Sequence, residues 1–301
     1  MGISHYIKDI GRGKEGARAL SRAQAADLMG QVLDEQVSDL ELGAFCIAMR
    51  VKGETPEEMA GFLDATHARL NKVPTGRVPT VVLPSYNGAR KLPVLTPLLA
   101  LLLARQGVAV LVHGESTEDS RVSSQAVLAH LGITAKERVA PAVAGEVHFL
   151  GTSVLHGGLA RLLAVRRSVG LRNPGHSLVK LMNPCASEGP VLVVSSYTHP
   201  EYLTSMSATL SLTGQHALLL RGTEGEPVAD ARRTPAMEVF NKGRSVRVQE
   251  QHAGSLAQMP ELPATDAAAT AQYIQHVLQG QWPVPQPIAL QVQHILNEVT
   301  P

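Results

Sequence analysis

Aromatic side chains make up only 3% of the 301 residues, with a single tryptophan. A groove that stacks successive bases on aromatic platforms is therefore a minor element of any nucleic-acid contact. Cysteine is as scarce: Cys46 and Cys185 stand far apart, with no CxxC and no Cys/His cluster. That argues against a zinc module and a disulfide framework, and reads as two reduced, buried thiols. Long apolar runs are missing too, since "LPVLTPLLALLLA" carries internal prolines and ends at Arg105, short of a bilayer span. The opening "MGISHYIKDIGRGKEG" has no apolar segment of a secretory signal. These absences predict a soluble cytoplasmic protein without a membrane partner.

Acidic residues are absent from two long stretches, although the net charge is only +1. Asn71 to Gly114 holds Lys72, Arg77, Arg90, Lys91 and Arg105 with no acid, and Val147 to Ser187 holds Arg161, Arg166, Arg167, Arg172 and Lys180 with none. Residues 1–22 are also net basic, and the rest of the chain is net acidic. Such segregation predicts one basic surface among acidic faces.

What is present is enough apolar sequence, 44%, to bury the cores of two domains. From Ser21 to Leu70 apolar residues recur at helical spacing. Ser38 and Thr55 stand where N-caps belong, Pro56 at a first helical position, and Gly53 at a helix end. Beyond "NKVPTGRVPT" short β-branched runs alternate with helical ones: "TVVLP", "VAVLVHG", "VHFLG", "VLVVSS", "HALLLRG" and "RSVRVQE" read as strands. The expected fold is α/β with a separate all-α domain. An N-terminal helical bundle covers 1–72, and an α/β domain with a mostly parallel central sheet covers 78–301. A proline-stiffened connector and a final amphipathic helix close the chain.

"PSYNGARK" (Pro84 to Lys91) lies between a predicted strand and a predicted buried helix. In α/β proteins that position cradles phosphate, because loop amides and the helix N-terminus face the anion. This loop has one glycine, two adjacent cations and no carboxylate.

"DLELGAFCIAMRVKGETPEEMAGFLDA", "VHGESTEDSRVSSQAVLAHLGI" and "HGGLARLLAVRRSVGLRNPGHSLVKLMNP" resemble successive segments of the anthranilate phosphoribosyltransferases, relatives of the class II nucleoside phosphorylases. The resemblance implies a helical bundle completed by a segment near 165–187, an α/β domain beside it, and a homodimer through the bundle. It also shows departures. The family's Gly-Thr-Gly-Gly-Asp loop is replaced by "PSYNG", its Asp-Glu metal pair by Pro227 and Val228, and the Lys, Asn and Arg around its His-Gly by Val112, Glu115 and Ser116. Neither Pro227 nor Val228 offers the oxygen that a hard cation needs. Glu224 and Glu226, close by, are the candidate substitutes for that pair, although loop carboxylates read first as solvated. "DIGRGKEGAR", "PSYNGARK", "RNPGHSLVKL", "SSYTHPEY" and "GTEGE" together resemble the YbiB-type branch of this family, which is associated with binding DNA, notably single strands.

The expected function is accordingly sequence-nonspecific binding of nucleic acid, single-stranded DNA foremost, on a transferase-like scaffold. Candidate phosphate contacts are Arg12, Lys14, Arg18, Arg22, Arg90, Lys91, Arg161, Arg166, Arg167, Arg172 and Lys180. Arg18 and Arg22, four apart, would share a helix face. A residual ligand pocket would comprise Tyr86, Asn87, Gly88, Ala89, His113, Gly114 and Ser116, with Tyr86 either stacking on a base or packing over the helix start. The alternative is a phosphoribosyltransferase with an altered substrate. No cofactor is expected, and magnesium only under that alternative.

Overall fold

The computed structural model describes residues 2–116, 118–252, 254 and 259–300, with the side chain of Lys14 outside the described set. Five helices open the chain: α1 (Ser4–Ile10), α2 (Gly13–Gly16), α3 (Arg22–Leu33), α4 (Asp39–Lys52) and α5 (Pro56–His67). Ser21, Ser38 and Thr55 each accept the N3 amide while Gln24, Glu41 and Glu58 reach back to the cap, so three successive helices start with a capping box. Gly53, at φ +80, ends α4 as its position predicts. Arg18 falls between α2 and α3 and Arg22 begins α3, so the two do not share a helix face.

The strands are β1 (Val73–Gly76), β2 (Thr80–Ser85), β3 (Ala109–Gly114), β4 (Ala135–Lys136), β5 (Val147–Gly151), β6 (Cys185–Ser187), β7 (Val191–Tyr197), β8 (Ala217–Arg221), β9 (Met237–Asn241) and β10 (Arg244–Gln249). Between and after them run α6 (Thr96–Ala104), α7 (Ser124–His130), α8 (Thr152–Leu155), α9 (Gly157–Val169), α10 (Gly175–Leu178), α11 (Pro200–Thr213), α12 (Ala267–Leu278) and α13 (Gln286–Val299). The eight-stranded sheet has the order β10-β9-β8-β7-β2-β3-β5-β4, and only the β8–β9 and β9–β10 pairs are antiparallel. β1 and β6 form a separate parallel pair.

Alternate residues of the central strands feed two cores. Val82, Leu111, Val193 and Leu219 join the bundle residues Phe45, Phe62 and Leu159, whereas Val81, Leu83, Val110 and Leu192 pack with α6, α12 and α13. One face of the sheet therefore shares its core with the bundle. The segment that completes the bundle begins at Gly157, earlier than the expected 165. His156 caps α9, and Gly158 lies so close to Leu33 that a Cβ there would collide with its carbonyl oxygen. β9 escaped the strand reading because "MEVFN" is five residues with an interrupting acid; it is fixed by a hairpin whose Lys242 and Gly243 both take positive φ.

Candidate functional site

β2 is the point from which the chain builds outward in both directions, β3 on one side and β7 on the other. Such switch points leave a crevice at the carboxyl ends of parallel strands, and the loop 84–91 opens there. Its amides converge on two carboxylates from the turn after β8. Asn87 N and Gly88 N each donate to Glu226 Oε1 at 2.8 Å; the Ser85 and Thr96 hydroxyls donate to Oε2 at 2.5 and 3.0 Å. Arg90 N and Lys91 N donate to the two oxygens of Glu224 at 2.6 and 2.9 Å.

The loop is therefore an amide nest that already holds anions, and they belong to the chain itself. Glu226 is 1% exposed and Glu224 half-buried, which corrects their reading as solvated carboxylates. Gly225 between them has φ +88, and a Cβ there would strike Asn87 Nδ2. Ala89 pins the loop from the other side through paired backbone bonds with Val122.

Beside the nest, a cleft of about 920 Å³ runs between the bundle and the sheet's carboxyl edge. Six cations line it: Arg50, Arg90, Arg121, Arg166, Arg172 and Lys180. Arg121 and Arg166 share Glu118 at 2.9 and 2.8 Å and hold it below the usual carboxylate range despite its burial. Burial, then Arg166 and Arg121, lowers Arg172. Burial, then Arg172 and Arg166, brings His176 down to about 3, and burial with Arg172 brings Lys180 to about 8, against the pull of Glu226. Burial is the largest cause for all three bases, and the added push from Arg166 and Arg172 marks positive potential that an anion would relieve. Lys180 Nζ, 8% exposed as a residue, donates to Gly225 O at 2.8 Å and so ties the cation wall to the nest.

Of the predicted contacts, the cleft gathers Arg90, Arg166, Arg172 and Lys180, with exposed Lys91 next to Arg90. The others lie elsewhere. Arg12 pairs with Asp9, Arg18 is exposed in the link after α2, and Arg22 is held by Asp64 at 2.6 and 2.8 Å. Arg161 pairs with Asp39 and Glu35, and Arg167 with Asp119 and the Ser116 carbonyl. Lys14 falls outside the described side chains. Arg50 and Arg121 were missed by sequence reasoning: each stands among acids, outside the acid-free blocks.

The expected residual pocket is largely solid. Of its seven residues Asn87 lines the cleft, and its Nδ2 donates to the Glu224 carbonyl. Gly88 and Ala89 belong to the nest wall, Gly114 is packed against Ser85, and Ser116 is exposed. Tyr86 is 4% exposed with its hydroxyl 2.7 Å from His113 Nδ1, so it does not present a ring for base stacking. His113 is fully buried, and burial holds it near 3, neutral. This is a structural pair.

Glu226 spends both oxygens on the nest, Pro227 and Val228 have no side-chain oxygen, and among the described residues no three His, Cys, Asp or Glu side chains converge. The residues do not fit magnesium.

Residues 4–69 match the pattern of the glycosyl transferase family helical bundle domain. The chain is 40% identical over 299 residues to YbiB, an uncharacterized protein of Escherichia coli strain K12, covering 97% of this chain and 92% of that one. It is 31% identical over 286 residues to an anthranilate phosphoribosyltransferase of Anaeromyxobacter dehalogenans, covering 93% and 83%. Among solved structures, that of the Thermus thermophilus anthranilate phosphoribosyltransferase superposes with a TM-score of 0.75 at 23% identity, over 98% of this chain and 89% of that one. A Saccharomyces cerevisiae enzyme of the same name, in complex with PRPP and Mg, gives 0.68 at 15%, over 99% and 86%.

Proposed function

The chain belongs to the anthranilate phosphoribosyltransferase-like family of glycosyl transferases, and from that premise we propose that it is a binding member of the family, holding a single-stranded nucleic acid by its phosphates in the interdomain cleft. The observation that carries this reading is the closed nest. Four amides that would receive a terminal phosphate are held by Glu224 and Glu226, while six Lys and Arg side chains line the adjoining cleft against four carboxylates, Glu54, Glu118, Glu201 and Glu224. Phosphate contacts of that kind supply affinity without reading sequence. Few aromatics line the cleft, Tyr197 and Tyr202 among them, so charge dominates and binding should be strongly salt-dependent. Two buried, unpaired thiols are consistent with a reducing cytoplasm.

The comparisons favour a second reading, a phosphoribosyltransferase acting on another substrate, because named enzymes of that activity align over most of the chain and the cleft is as large as a substrate pocket. One experiment separates the two: a gel shift with single-stranded and duplex DNA across a salt series, beside an assay of phosphoribosyl pyrophosphate turnover with anthranilate. The strand reading expects a shifted single strand and no turnover. Mg²⁺-dependent turnover abolished by EDTA overturns it.

We also propose a homodimer through the bundle. Leu40, Ile47 and Val51 of α4 are 84%, 39% and 56% exposed at helical spacing along one face. Ile47→Glu with Val51→Glu should give a monomer by light scattering; a wild type that is already monomeric at micromolar concentration removes the proposal.

A further inference from the structure

Glu224 and Glu226 do not play the same part. Glu226 sits under the loop, 1% exposed, and four donors would be orphaned without it. Glu224 lies half-buried on the cleft wall. Its backbone is left-handed, φ +52 and ψ +20, an unfavourable conformation for a residue with a Cβ. That conformation delivers the carboxylate across the Arg90 and Lys91 amides, one oxygen on each.

Two oxygens bridging successive amides beside a strand–loop–helix junction occupy the place of a terminal phosphate. A phosphate cannot use those amides while Glu224 does, and a pyrophosphate brought there meets two carboxylates of its own sign. The exposed side chains of Arg90 and Lys91 are unaffected by this occupancy. They can meet a phosphodiester, which carries a single charge and needs no nest.

We infer that Glu224 is a discriminating residue: it bars terminal phosphates and pyrophosphates from the Arg90 and Lys91 amides, and so restricts the cleft to ligands whose phosphates are internal diesters. The admitted class rests on the strand reading above. The excluded class rests on the nest alone.

The test uses the full chain with Glu224→Ala and Glu224→Gly. The glycine variant removes the carboxylate and also suits the left-handed backbone, so it relieves the strain that alanine retains. Isothermal titration with inorganic pyrophosphate should show both variants binding at least about tenfold more tightly than wild type, since two charge-assisted donors become available. Anisotropy of an oligothymidylate without terminal phosphates should change by less than that. Folded variants that bind pyrophosphate no better than wild type overturn the inference, as does a wild type that binds it equally well. If pyrophosphate binding rises in the variants while no form binds the oligothymidylate, exclusion stands and the strand reading falls.

Discussion

The nest and the cation wall are neighbours that meet negative charge in opposite ways. In the nest, donors and acceptors balance within the chain: four amides and two hydroxyls close on Glu224 and Glu226. In the wall, Arg121 and Arg166 both bond to Glu118, and beside them burial, then the charge of Arg166 and Arg121, lowers Arg172. The first region is complete without a ligand. On the proposed reading the second receives a strand's phosphates, so that the cleft of a transferase-like fold would bind phosphate without the arrangement that phosphoribosyl transfer requires.

Breaking the nest should produce the largest effect. Glu226→Ala leaves buried amides and hydroxyls without an acceptor, and should cost about 3–5 kcal/mol in denaturant titration. A loss under about 1 kcal/mol would mean that the nest is not balanced by this carboxylate.

Acid should strain the fold next. His113 and His176 are held near 3, mainly by burial, while an unfolded histidine takes its proton near 6.5. The folded state then binds fewer protons than the unfolded one, so their stabilising contribution is complete above 6.5 and is lost as pH falls toward 3. Each pH unit in that window weakens folding by up to about 1.4 kcal/mol per histidine. Denaturation midpoints that stay flat from pH 6.5 to 4 would contradict the assignment.

Arg172→Ala sharpens the comparison, because it should move binding and stability in opposite directions. Strand affinity falls, with the slope of log K against log salt shallower by about 0.7–0.9, while stability holds or rises as mutual repulsion is relieved. A parallel loss of stability would make Arg172 a structural residue. At the rim the effect falls on binding alone. Arg90→Ala with Lys91→Ala should flatten the slope by up to about two units for any sequence, and Lys136→Ala, on exposed β4 away from the cleft, should leave it unchanged.

Much of the fold was legible because local signals agreed. The N-caps Ser38 and Thr55, Pro56, Gly53 and β-branched runs each marked an element that formed. The site was legible only in part. Position along the chain identified the loop at 84–91, but nothing in "GTEGE" announces that its carboxylates fold back by some 130 residues onto that loop. Acid-free blocks found Arg166, Arg172 and Lys180, yet also flagged Arg161 and Arg167, whose partners come from other parts of the chain. Arg121 went unnoticed because Glu118 and Asp119 precede it, although in space that Glu118 is what fixes it in the wall. Charge along a sequence predicts a surface only where pairing stays local, and here it does not.

On the proposed reading the cleft takes a strand by charge alone. Equilibrium titration of wild-type protein with labelled oligothymidylate across a salt series, repeated with a mixed-sequence single strand, tests it most directly. Log K should fall linearly with log salt, with the same slope and nearly the same affinity for both strands. Binding that is absent, or that is insensitive to salt, would contradict it.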